Sequence, residues 1–415
     1  MSKIEELIER LCPNGVEYKT IGEVATYRRG SFPQPYTNSS FYGGDGAMPF
    51  VQVADIEDNG FKLKEKTKQT ISKIAQPKSI YVPKGTVICS IQGTIGRVAI
   101  TQFDSYIDRT IAIFESFKIE ITKRFFAYCI ELKFGIEKQF ARGSTLKTIT
   151  KEEFTKFRIP VPPLEVQCEI VHILDDFTLL SAELSAELKA RQKQYEYYLY
   201  KLISDSKKIT KNKLYELTIW DKKFNAVENY MQPNVKKYPT LLAVDLFNLE
   251  RENGNVFLLS TGGQRGWTTE EVAGDNISEG EVVTIPWGKS RPVQEVMKYY
   301  CGKFVTGDNR IATSNDIKKL NNKYLFYWMQ TQSERIDKFY RGSGIQHPNM
   351  RNVLTLEIEL PSIDEQKRIV SILDKFEKLC NDISKGLPAE IEARQKQYEY
   401  YRNKLLTFKE LKVNE

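Results

Sequence analysis

The chain has 415 residues, of which 41% are hydrophobic and 28% are charged, and this composition is typical of a globular protein and excludes a disordered or collagen-like one. It contains no run of about 18 apolar residues, and its charged first ten residues contain no apolar signal core, so neither a membrane-spanning helix nor a secretory signal is predicted. The net charge of +7 is compatible with a polyanionic partner but does not require one.

At about 150 residues per domain, a chain of this length is expected to form two to three domains. Short runs of β-branched residues bounded by glycine or proline predict strands, with shorter helical patterns between them. In chain order, these elements are strands at 87–91 and 98–101, a helix at 122–138, a strand at 282–285, a helix at 322–339 and a strand at 355–360. The globular regions are therefore predicted to belong to the α+β class.

The most informative feature of the sequence is an internal duplication. The nine residues Ala190–Tyr198 recur without change as Ala393–Tyr401, which does not happen by chance in a chain of this length. Further upstream, Arg142-Gly143-Ser144 matches Arg341-Gly342-Ser343 at an offset of 199 residues, and the later offset of 203 leaves four extra residues in the second copy. The chain is therefore predicted to use one unit of about 200 residues twice, with pseudo-two-fold symmetry.

The similarity is strong only at the end of each half, in 163–203 and 362–415, and both segments are predicted to be long helices. From Leu174 onward, apolar residues are spaced alternately by three and four, which is typical of a coiled-coil seam, and 163–203 would extend about 60 Å. The residues predicted to pair the helices or to dock partner subunits are Leu174, Phe177, Leu184, Leu188, Tyr195, Tyr198, Leu373, Phe376, Ile391, Tyr398 and Tyr401.

Two arrangements of these helices are compatible with the pattern. The duplication favours an antiparallel pairing of one copy against the other, and the alternative is that each apolar stripe packs only into the core of its own domain. Pro163 suits the first turn of a helix, and Ser362-x-x-Glu365 has the form of a capping box. Gly386-Leu387-Pro388 lies in the four-residue insertion and predicts a break or kink there.

No catalytic or metal-binding signature is complete. Gly288-Lys289-Ser290 resembles the end of a phosphate-binding loop, but Val283 stands where that loop requires glycine. The sequence contains no Asn/Asp-Pro-Pro-Tyr/Phe motif, and only His172 and His347 are available as histidine ligands or bases. The six cysteines are scattered without a Cys-x-x-Cys pair, as expected of free thiols in a reducing compartment, so a cytoplasmic protein without a structural metal is predicted.

Gly-flanked loops in both halves carry Arg, Lys and Gln, the residue types that pair with guanine, adenine and phosphate. Each loop alone also fits a solvated basic loop, but their recurrence in both halves favours a nucleic-acid-binding protein. The candidate contact residues are Arg28, Arg29, Gln92, Thr94, Arg97, Arg142, Lys147, Gln264, Arg265, Trp267, Lys289, Arg291, Arg341 and Gln346.

Taken together, these features resemble the specificity (S) subunit of type I restriction-modification enzymes. The resemblance rests on the helical repeats Pro163–Asp175 and Ser362–Asp374, each followed by the repeated Ala-Arg-Gln-Lys-Gln-Tyr-Glu-Tyr-Tyr block, and extends to Gly386–Arg394 and Ser260–Trp267. It covers essentially the full length of the chain, and the helical repeats are its most specific part.

The resemblance implies two target-recognition domains, at 1–162 and 204–361, and two helical spacers, at 163–203 and 362–415. Each domain would read one half of a split, asymmetric double-stranded DNA target, and the paired helices would act as a ruler between the half-sites. Such a subunit has no catalytic centre. It docks two methyltransferase (M) subunits, which methylate adenine, and two restriction (R) subunits. S-adenosylmethionine, ATP and magnesium would belong to those partners.

Two other functions remain compatible with the residues alone. A methyltransferase or nuclease with an unusual active site would transfer methyl groups or cleave DNA as a purified chain without partners, and neither activity is expected. A coiled-coil scaffold without DNA contact would lack salt-sensitive DNA binding, which is expected of the chain with its M partner but not of its helical segments alone.

Overall fold

A computed structural model describes residues 3–58, 60–140, 151–262, 266–289, 291–381 and 386–411. The helices are α1 Lys3–Leu11, α2 Ile21–Val24, α3 Lys123–Phe140, α4 Lys151–Thr155, α5 Leu164–Asp205, α6 Leu214–Leu217, α7 Ala243–Asn248, α8 Glu270–Ala273, α9 Val293–Val296, α10 Asn322–Thr331, α11 Ser333–Asp337, α12 Met350–Leu354, α13 Ile363–Asn381 and α14 Leu387–Leu405.

The strands, in chain order, are β1 Glu17–Thr20, β2 Ala25–Arg29, β3 Met48–Val51, β4 Gln69–Ile71, β5 Ile80–Val82, β6 Val87–Ser90, β7 Val98–Ile100, β8 Ser105–Ile107, β9 Ile111–Phe117, β10 Arg158–Val161, β11 Thr210–Lys213, β12 Thr218–Trp220, β13 Val256–Leu259, β14 Trp267–Thr268, β15 Ser278–Pro286, β16 Lys298–Thr306, β17 Asn309–Ser314, β18 Tyr340–Arg341, β19 His347–Pro348 and β20 Glu357–Leu360. The four predicted strands correspond to β6, β7, part of β15 and β20. The helix predicted at 322–339 is two helices, α10 and α11, which meet at Gln332.

The chain divides into two compact units, the first formed by 1–187 with 389–415 and the second by 188–388. The two long helical segments were predicted as spacers separate from the globular domains. The units instead include them, because each end of α5 packs into a globular core. Residues of the second repeat (389–415) therefore belong to the same unit as the globular region of the first.

In the first unit, an antiparallel sheet of order β2-β9-β6-β7 and a mixed sheet of order β4-β3-β8-β5 form most of the globular region. The aromatic face of α3, including Phe125 and Phe126, packs into the main core of this unit. Ile170 and Leu174 of α5 lie in the same core, together with Leu405 of α14. The globular region and the helices of this unit therefore share one hydrophobic core.

In the second unit, a six-stranded sheet of order β12-β17-β15-β16-β13-β14 replaces the two separate sheets. Its main core contains Tyr324 and Tyr327 of α10, Leu199 of α5 and Leu373 of α13. A two-stranded antiparallel ladder stands just ahead of the long helix in both units, as β1-β10 in the first and β11-β20 in the second. The duplicated scaffold is thus preserved, although the sheets have diverged.

The predicted antiparallel pairing of the two repeats is confirmed within each unit. Phe177 of α5 stacks on Tyr401 of α14, with ring centroids 5.4 Å apart and planes 24° from parallel. In the other unit Tyr198 of α5 stacks on Phe376 of α13 with the same separation and angle. These are equivalent pairs, since Phe376 is Phe177 shifted by 199 residues and Tyr401 is Tyr198 shifted by 203.

The direction of the pairing is clearest in the second unit. The positive charge of Arg191 acts to lower the pKa of the Cys380 thiol, so α5 and α13 are neighbours at these two residues. Tyr198 lies seven residues further along α5, but it stacks on Phe376, which precedes Cys380 in α13. Residue numbers therefore rise along α5 as they fall along α13, so the helices run antiparallel. The alternative prediction, that each apolar stripe packs into a globular core, also holds for part of the stripe. Leu174 and Leu373 are fully buried in the globular cores. Leu184, Leu188 and Ile391 are half-buried.

The helix boundaries follow their predicted signals in most respects. The carbonyl of Pro163, directly before α5, accepts the N–H groups of Val166 and Gln167. The Ser362 hydroxyl accepts the N–H of Glu365, but the Glu365 carboxylate pairs with Arg368, so only half of the capping box forms. The second repeat is divided between α13 and α14, as Gly386-Leu387-Pro388 predicts, and 382–385 lie outside the described residues.

Replacing Leu174 by alanine tests whether α5 is part of the globular core. Leu174 is fully buried, so we expect the free energy of unfolding to fall by about 2–5 kcal/mol in a denaturant titration. Leu179→Ala is the matched control on the same helix, since that side chain is 59% exposed, and we expect a change within about 0.5 kcal/mol. Equal losses for the two variants would contradict this packing.

Candidate nucleic-acid interface

One end of the β2-β9-β6-β7 sheet gathers several of the predicted contact loops of the first unit. In this antiparallel order, β2 and β6 end where β7 and β9 begin, as the pairs Arg29–Ala112, Ser90–Ile111 and Cys89–Val98 demonstrate. The loops after β2, between β6 and β7, and before β9 therefore lie side by side. We call this set of loops the unit 1 tip.

The unit 1 tip includes two predicted residues with polar side chains, the exposed Arg29 and the half-buried Gln92. The Arg29 guanidinium donates to the Gln92 amide oxygen at 3.4 Å, a long contact between two groups that keep free hydrogen-bonding positions. Thr94 is exposed in the same loop, and its carbonyl accepts the hydroxyl of Ser90. A Cβ at Gly96 would lie 2.5 Å from Phe134, so this loop depends on glycine to keep its shape.

Arg109 belongs to the same tip, although it is not among the contact residues predicted from the sequence. Arg109 is exposed, and its guanidinium lies 5.3 Å from the centroid of the Tyr36 ring. The Tyr36 hydroxyl donates to Asp108 at 2.5 Å, and burial and this carboxylate both raise the pKa of Tyr36. No glycine flanks Arg109, so the Gly-flanked loop pattern could not identify it. The remaining signal in the sequence is an arginine two residues before the buried strand β9.

Two residues of the first unit that were predicted to contact DNA, Arg28 and Arg97, form ion pairs within the protein. Arg28 pairs with Glu115 at 2.7 Å across the β2-β9 ladder. Arg97 pairs with Asp58 and donates to the carbonyl of Ile56 at 3.1 Å. Among the described residues, by contrast, no carboxylate lies within ion-pair range of Arg29 or Arg109. The free positive charge of the tip therefore comes from these two arginines.

In the second unit, the equivalent sheet end lies where β12 and β15 end and β17 begins, and we call it the unit 2 tip. Here the predicted contact residue Lys289 is largely buried, with its side chain 9% exposed, and pairs with Asp337 at 2.5 Å. Asp337 also accepts the N–H of Val293. The Lys289 side chain therefore forms a contact within the fold and has little surface left with which to contact DNA.

The unit 2 tip is built around a buried arginine that the sequence analysis did not select. The Arg310 guanidinium lies 3.9 Å from the centroid of the Trp287 ring and donates to Asp308 at 3.0 Å. Nearby, burial raises the pKa of Asp221, although Arg310 acts in the opposite direction. The centroid of the Trp287 ring also lies 4.6 Å from that of the His347 ring. His347 is exposed, so this cluster extends from the buried Arg310 to the surface.

Other predicted residues of the second unit are accessible. Arg291 and Arg341 are exposed, and Gln346 is half-buried beside Lys289, to which its backbone is hydrogen-bonded. Trp267 is 43% exposed and packs on Phe257, beside an open cavity of about 560 Å³. Arg142, Lys147, Gln264 and Arg265 lie outside the described residues.

In the part of the chain that the structure describes, no group of three or more His, Cys, Asp or Glu side chains is placed to hold a metal ion. Every helix in these ranges is too short or too polar to cross a bilayer. The two tips thus present arginine, glutamine and aromatic side chains on a duplicated scaffold. Such side chains are those with which proteins contact DNA bases and phosphates, so the two tips are candidate DNA-contact surfaces.

Comparison with known proteins identifies the family. The family model for the type I restriction modification DNA specificity domain matches residues 13–194 and 243–393. A putative type I restriction enzyme specificity subunit of Haemophilus influenzae is 32% identical over 306 residues, which cover 65% of this chain and 68% of the relative. The EcoprrI specificity subunit of Escherichia coli is 26% identical over 404 residues, which cover 92% of each chain.

A solved structure agrees with this assignment at the level of the fold. The type I restriction-modification S subunit from M. genitalium matches with a TM-score of 0.56 at 13% identity, covering 94% of this chain and 96% of that one. The chain belongs to the type I restriction-modification DNA specificity family and carries two regions that match its domain.

Replacing Gly30 by alanine tests the packing that forms the unit 1 tip. A Cβ there would lie 2.4 Å from the carbonyl oxygens of Ile107 and Asp108, so the loops that carry Arg29 and Arg109 must separate. We expect the free energy of unfolding to fall by about 1–3 kcal/mol in a denaturant titration.

Gly135→Ala is the control, because nothing lies within 4 Å of a Cβ at this position in α3. There we expect a gain of about 0.5–1 kcal/mol from the higher helix propensity of alanine. A Gly30→Ala protein as stable as the wild type would contradict the close approach of these loops.

Proposed function

We propose that this chain is the non-catalytic DNA specificity subunit of a type I restriction-modification complex, and that its two domains read the two halves of a bipartite, asymmetric target. The observation that carries the proposal is the difference between the two tips. The same end of the duplicated sheet presents Arg29, Gln92 and Arg109 in the first unit. In the second it presents Trp287 and His347 over a buried arginine. Because the two tips differ in side chains while the scaffold is shared, we expect them to bind half-sites of different sequence.

The chemistry of the unit 1 tip supports contact with purines in the major groove. An arginine can donate two hydrogen bonds to O6 and N7 of guanine, and a glutamine can pair with N6 and N7 of adenine. Arg29 and Arg109 are exposed, and the 3.4 Å contact between Arg29 and Gln92 is weak enough to be exchanged for base contacts. Contacts to phosphate would add affinity that falls as salt concentration rises.

The long helix supports the proposal that the half-sites are separated by a fixed, unread spacer. α5 has 42 residues and contributes to both units, and at 1.5 Å per residue its length is about 63 Å. Dimeric DNA-binding proteins set the spacing of half-sites by the distance between their reading elements. In this proposal α5, α13 and α14 play that part within a single chain.

The surface of the repeated nine-residue block supports docking of two copies of one partner. Six of its nine positions are exposed in both copies, and they include Lys193, Glu196 and Tyr197 with their counterparts Lys396, Glu399 and Tyr400. Packing within the chain does not require identity at exposed positions, but two identical partner surfaces do. We assign these partners to two methyltransferase subunits, with two restriction subunits joining the full complex.

The division of labour places the chemistry on those partners. S-adenosylmethionine, ATP and magnesium are proposed to bind the methyltransferase and restriction subunits, and this chain is proposed to hold no cofactor. Because the target is chromosomal and incoming DNA, the complex is proposed to act in the cytoplasm.

Arg109→Ala tests the assignment of the unit 1 tip to one half-site. Methylated adenines are mapped across the genome in cells that express the chain with its methyltransferase subunit. We expect the wild type to give two unlike half-sites with a constant spacer. The variant is expected to relax base preference in one half-site only, by about 1–3 kcal/mol at one base pair, since a bidentate contact is lost.

Arg158→Ala is the control, because Arg158 is exposed but pairs with Glu410 and belongs to the β1-β10 ladder, which is separate from the sheet that carries the unit 1 tip. It should leave both half-sites unchanged. A contiguous or palindromic wild-type motif, or a loss of preference spread over both half-sites, would count against the proposal.

A further inference from the structure

Each unit contains a fully buried glutamine that joins the globular region to the start of its long helix. The Gln167 amide donates to the carbonyls of Pro162 and Glu120 at 2.9 and 3.3 Å and accepts the N–H of Thr122 at 2.9 Å. The Gln366 amide makes the same three bonds in the second unit, at 3.0, 2.9 and 2.9 Å. Both side chains have no exposed surface. The glutamine therefore fixes where the long helix begins.

A second contact, two helical turns further on, joins the same two parts of each unit. The Tyr128 hydroxyl of α3 donates to Asp175 of α5 at 2.6 Å, and the Tyr327 hydroxyl of α10 donates to Asp374 of α13 at 2.6 Å. Burial raises the pKa of both phenols, and the neighbouring carboxylates raise it further, so each hydroxyl remains protonated and donates. We call these two contacts the Tyr–Asp bonds.

A cation accompanies each Tyr–Asp bond. Arg124 lies on Asp175 at 2.5 Å, and Lys323 lies on Asp374 at 2.8 Å. Such charge-assisted hydrogen bonds are stronger and more directional than neutral ones. A tyrosine held at its apolar ring and at its hydroxyl therefore has little freedom to shift along the helix that it contacts.

The duplication indicates that these tyrosines do more than fill space. Lys123–Leu132 of α3 and Asn322–Thr331 of α10 correspond at the offset of 199 residues, and the tyrosine is their single identical position. Around it, the phenylalanines, alanine, cysteine and isoleucine of α3 correspond to tyrosine, leucine, phenylalanine, tryptophan and methionine in α10. The core has thus diverged freely, while both Tyr–Asp bonds and both buried glutamines have kept their geometry.

Apolar packing alone would not fix how a globular region is turned about its long helix. Buried contacts such as those of Leu174 and Leu373 are non-directional, so a small rotation costs little hydrophobic burial. Hydrogen bonds are lost within a short displacement, because they require both distance and angle. Rotation matters in DNA reading, since one added base pair turns a half-site by roughly 35° and moves it by about 3.4 Å.

We propose that the Tyr–Asp bonds are positioning contacts that fix each recognition domain on its helix, and so set how strictly the complex discriminates between spacer lengths. This inference rests on the proposed function. Tyr128 and Tyr327 touch no base in this proposal and act through the orientation of the domain that does.

The test uses the full chain in complex with its methyltransferase subunit. Initial rates of methyl transfer are measured on duplexes that carry the two wild-type half-sites with the natural spacer or with one base pair added or removed. For Tyr128→Phe and Tyr327→Phe, the rate on altered spacers relative to the natural one should rise by roughly ten- to a hundredfold, since a hydrogen bond to a charged group is lost. The base preference within each half-site should remain that of the wild type.

Tyr81→Phe is the matched control. The Tyr81 hydroxyl donates to Asp104 at 2.7 Å within the sheet region of the first unit. This variant therefore also loses a hydrogen bond from a tyrosine to an aspartate, but the aspartate does not lie on a long helix. It should keep the wild-type spacer ratio. Melting temperatures of all three variants reveal any general loss of stability.

The proposal is overturned if Tyr128→Phe and Tyr327→Phe keep the wild-type spacer ratio, even where their melting temperatures fall, because the bonds then only stabilise the fold. It is equally overturned if Tyr81→Phe changes the ratio as strongly. A wild-type complex that recognises no bipartite sequence is a different failure, visible before any variant is made, and it removes the proposed function together with this inference.

Discussion

The apolar stripe of α5 imposes the constraint on which the rest of the structure depends. Near its start, Ile170 and Leu174 must be buried in the first core, and near its end Leu199 and Ile203 must be buried in the second. One helix therefore contributes to two hydrophobic cores, and neither core is complete without it. Burial of each such side chain contributes about 1.5–3 kcal/mol, so α5 is bound firmly to both globular regions.

The same constraint explains why the two repeats exchange partners. The aromatic stripe of α5 is covered by α14 in the first unit and by α13 in the second, through the equivalent stacks Phe177–Tyr401 and Tyr198–Phe376. In the first unit the chain also returns to its own start, where Val16 donates to the carbonyl of Lys409. Residues from both ends of the chain thus complete one unit. Each unit of this duplicated protein is therefore completed by residues of both repeats.

The tips have diverged together with the sheets and cores, whereas a small set of contacts at the long helices is the same in both units. The hydrogen bonds of the buried glutamines, the Tyr–Asp bonds and the stacks of the Phe–Tyr pairs have nearly the same lengths in the two units. At the sheet ends, Arg29 is exposed and Gln92 is half-buried, whereas the side chains of Lys289 and Arg310 are almost fully buried. We interpret this contrast as selection for a constant frame that carries variable readers.

The sequence predicts the frame much better than the tips. Nine repeated residues and a regular apolar spacing reveal the duplication, the long helices and their pairing, since these signals are local and periodic. The tips depend on contacts between distant residues. Lys289 is lost as a candidate because of Asp337, 48 residues away, and Arg109 gains importance because β9 begins beside Arg29. Neither fact is visible in the composition of a loop.

The most direct test of the central claim is a change in the length of the paired helices. Four residues are inserted after Leu188 in α5, and four more between Asn381 and Gly386. In α5 the insertion adds about 6 Å and leaves the helix face only about 40° from its original direction, and the second insertion gives the segment between α13 and α14 a matching extra length. Mapping of methylated adenines should reveal both half-sites unchanged and a spacer longer by one or two base pairs. Insertion of four residues after Gly44, where an added Cβ would meet no atom within 4 Å, should leave the spacer as it was. An unaltered spacer in the lengthened protein would contradict the claim that the helices set the distance between the two readers.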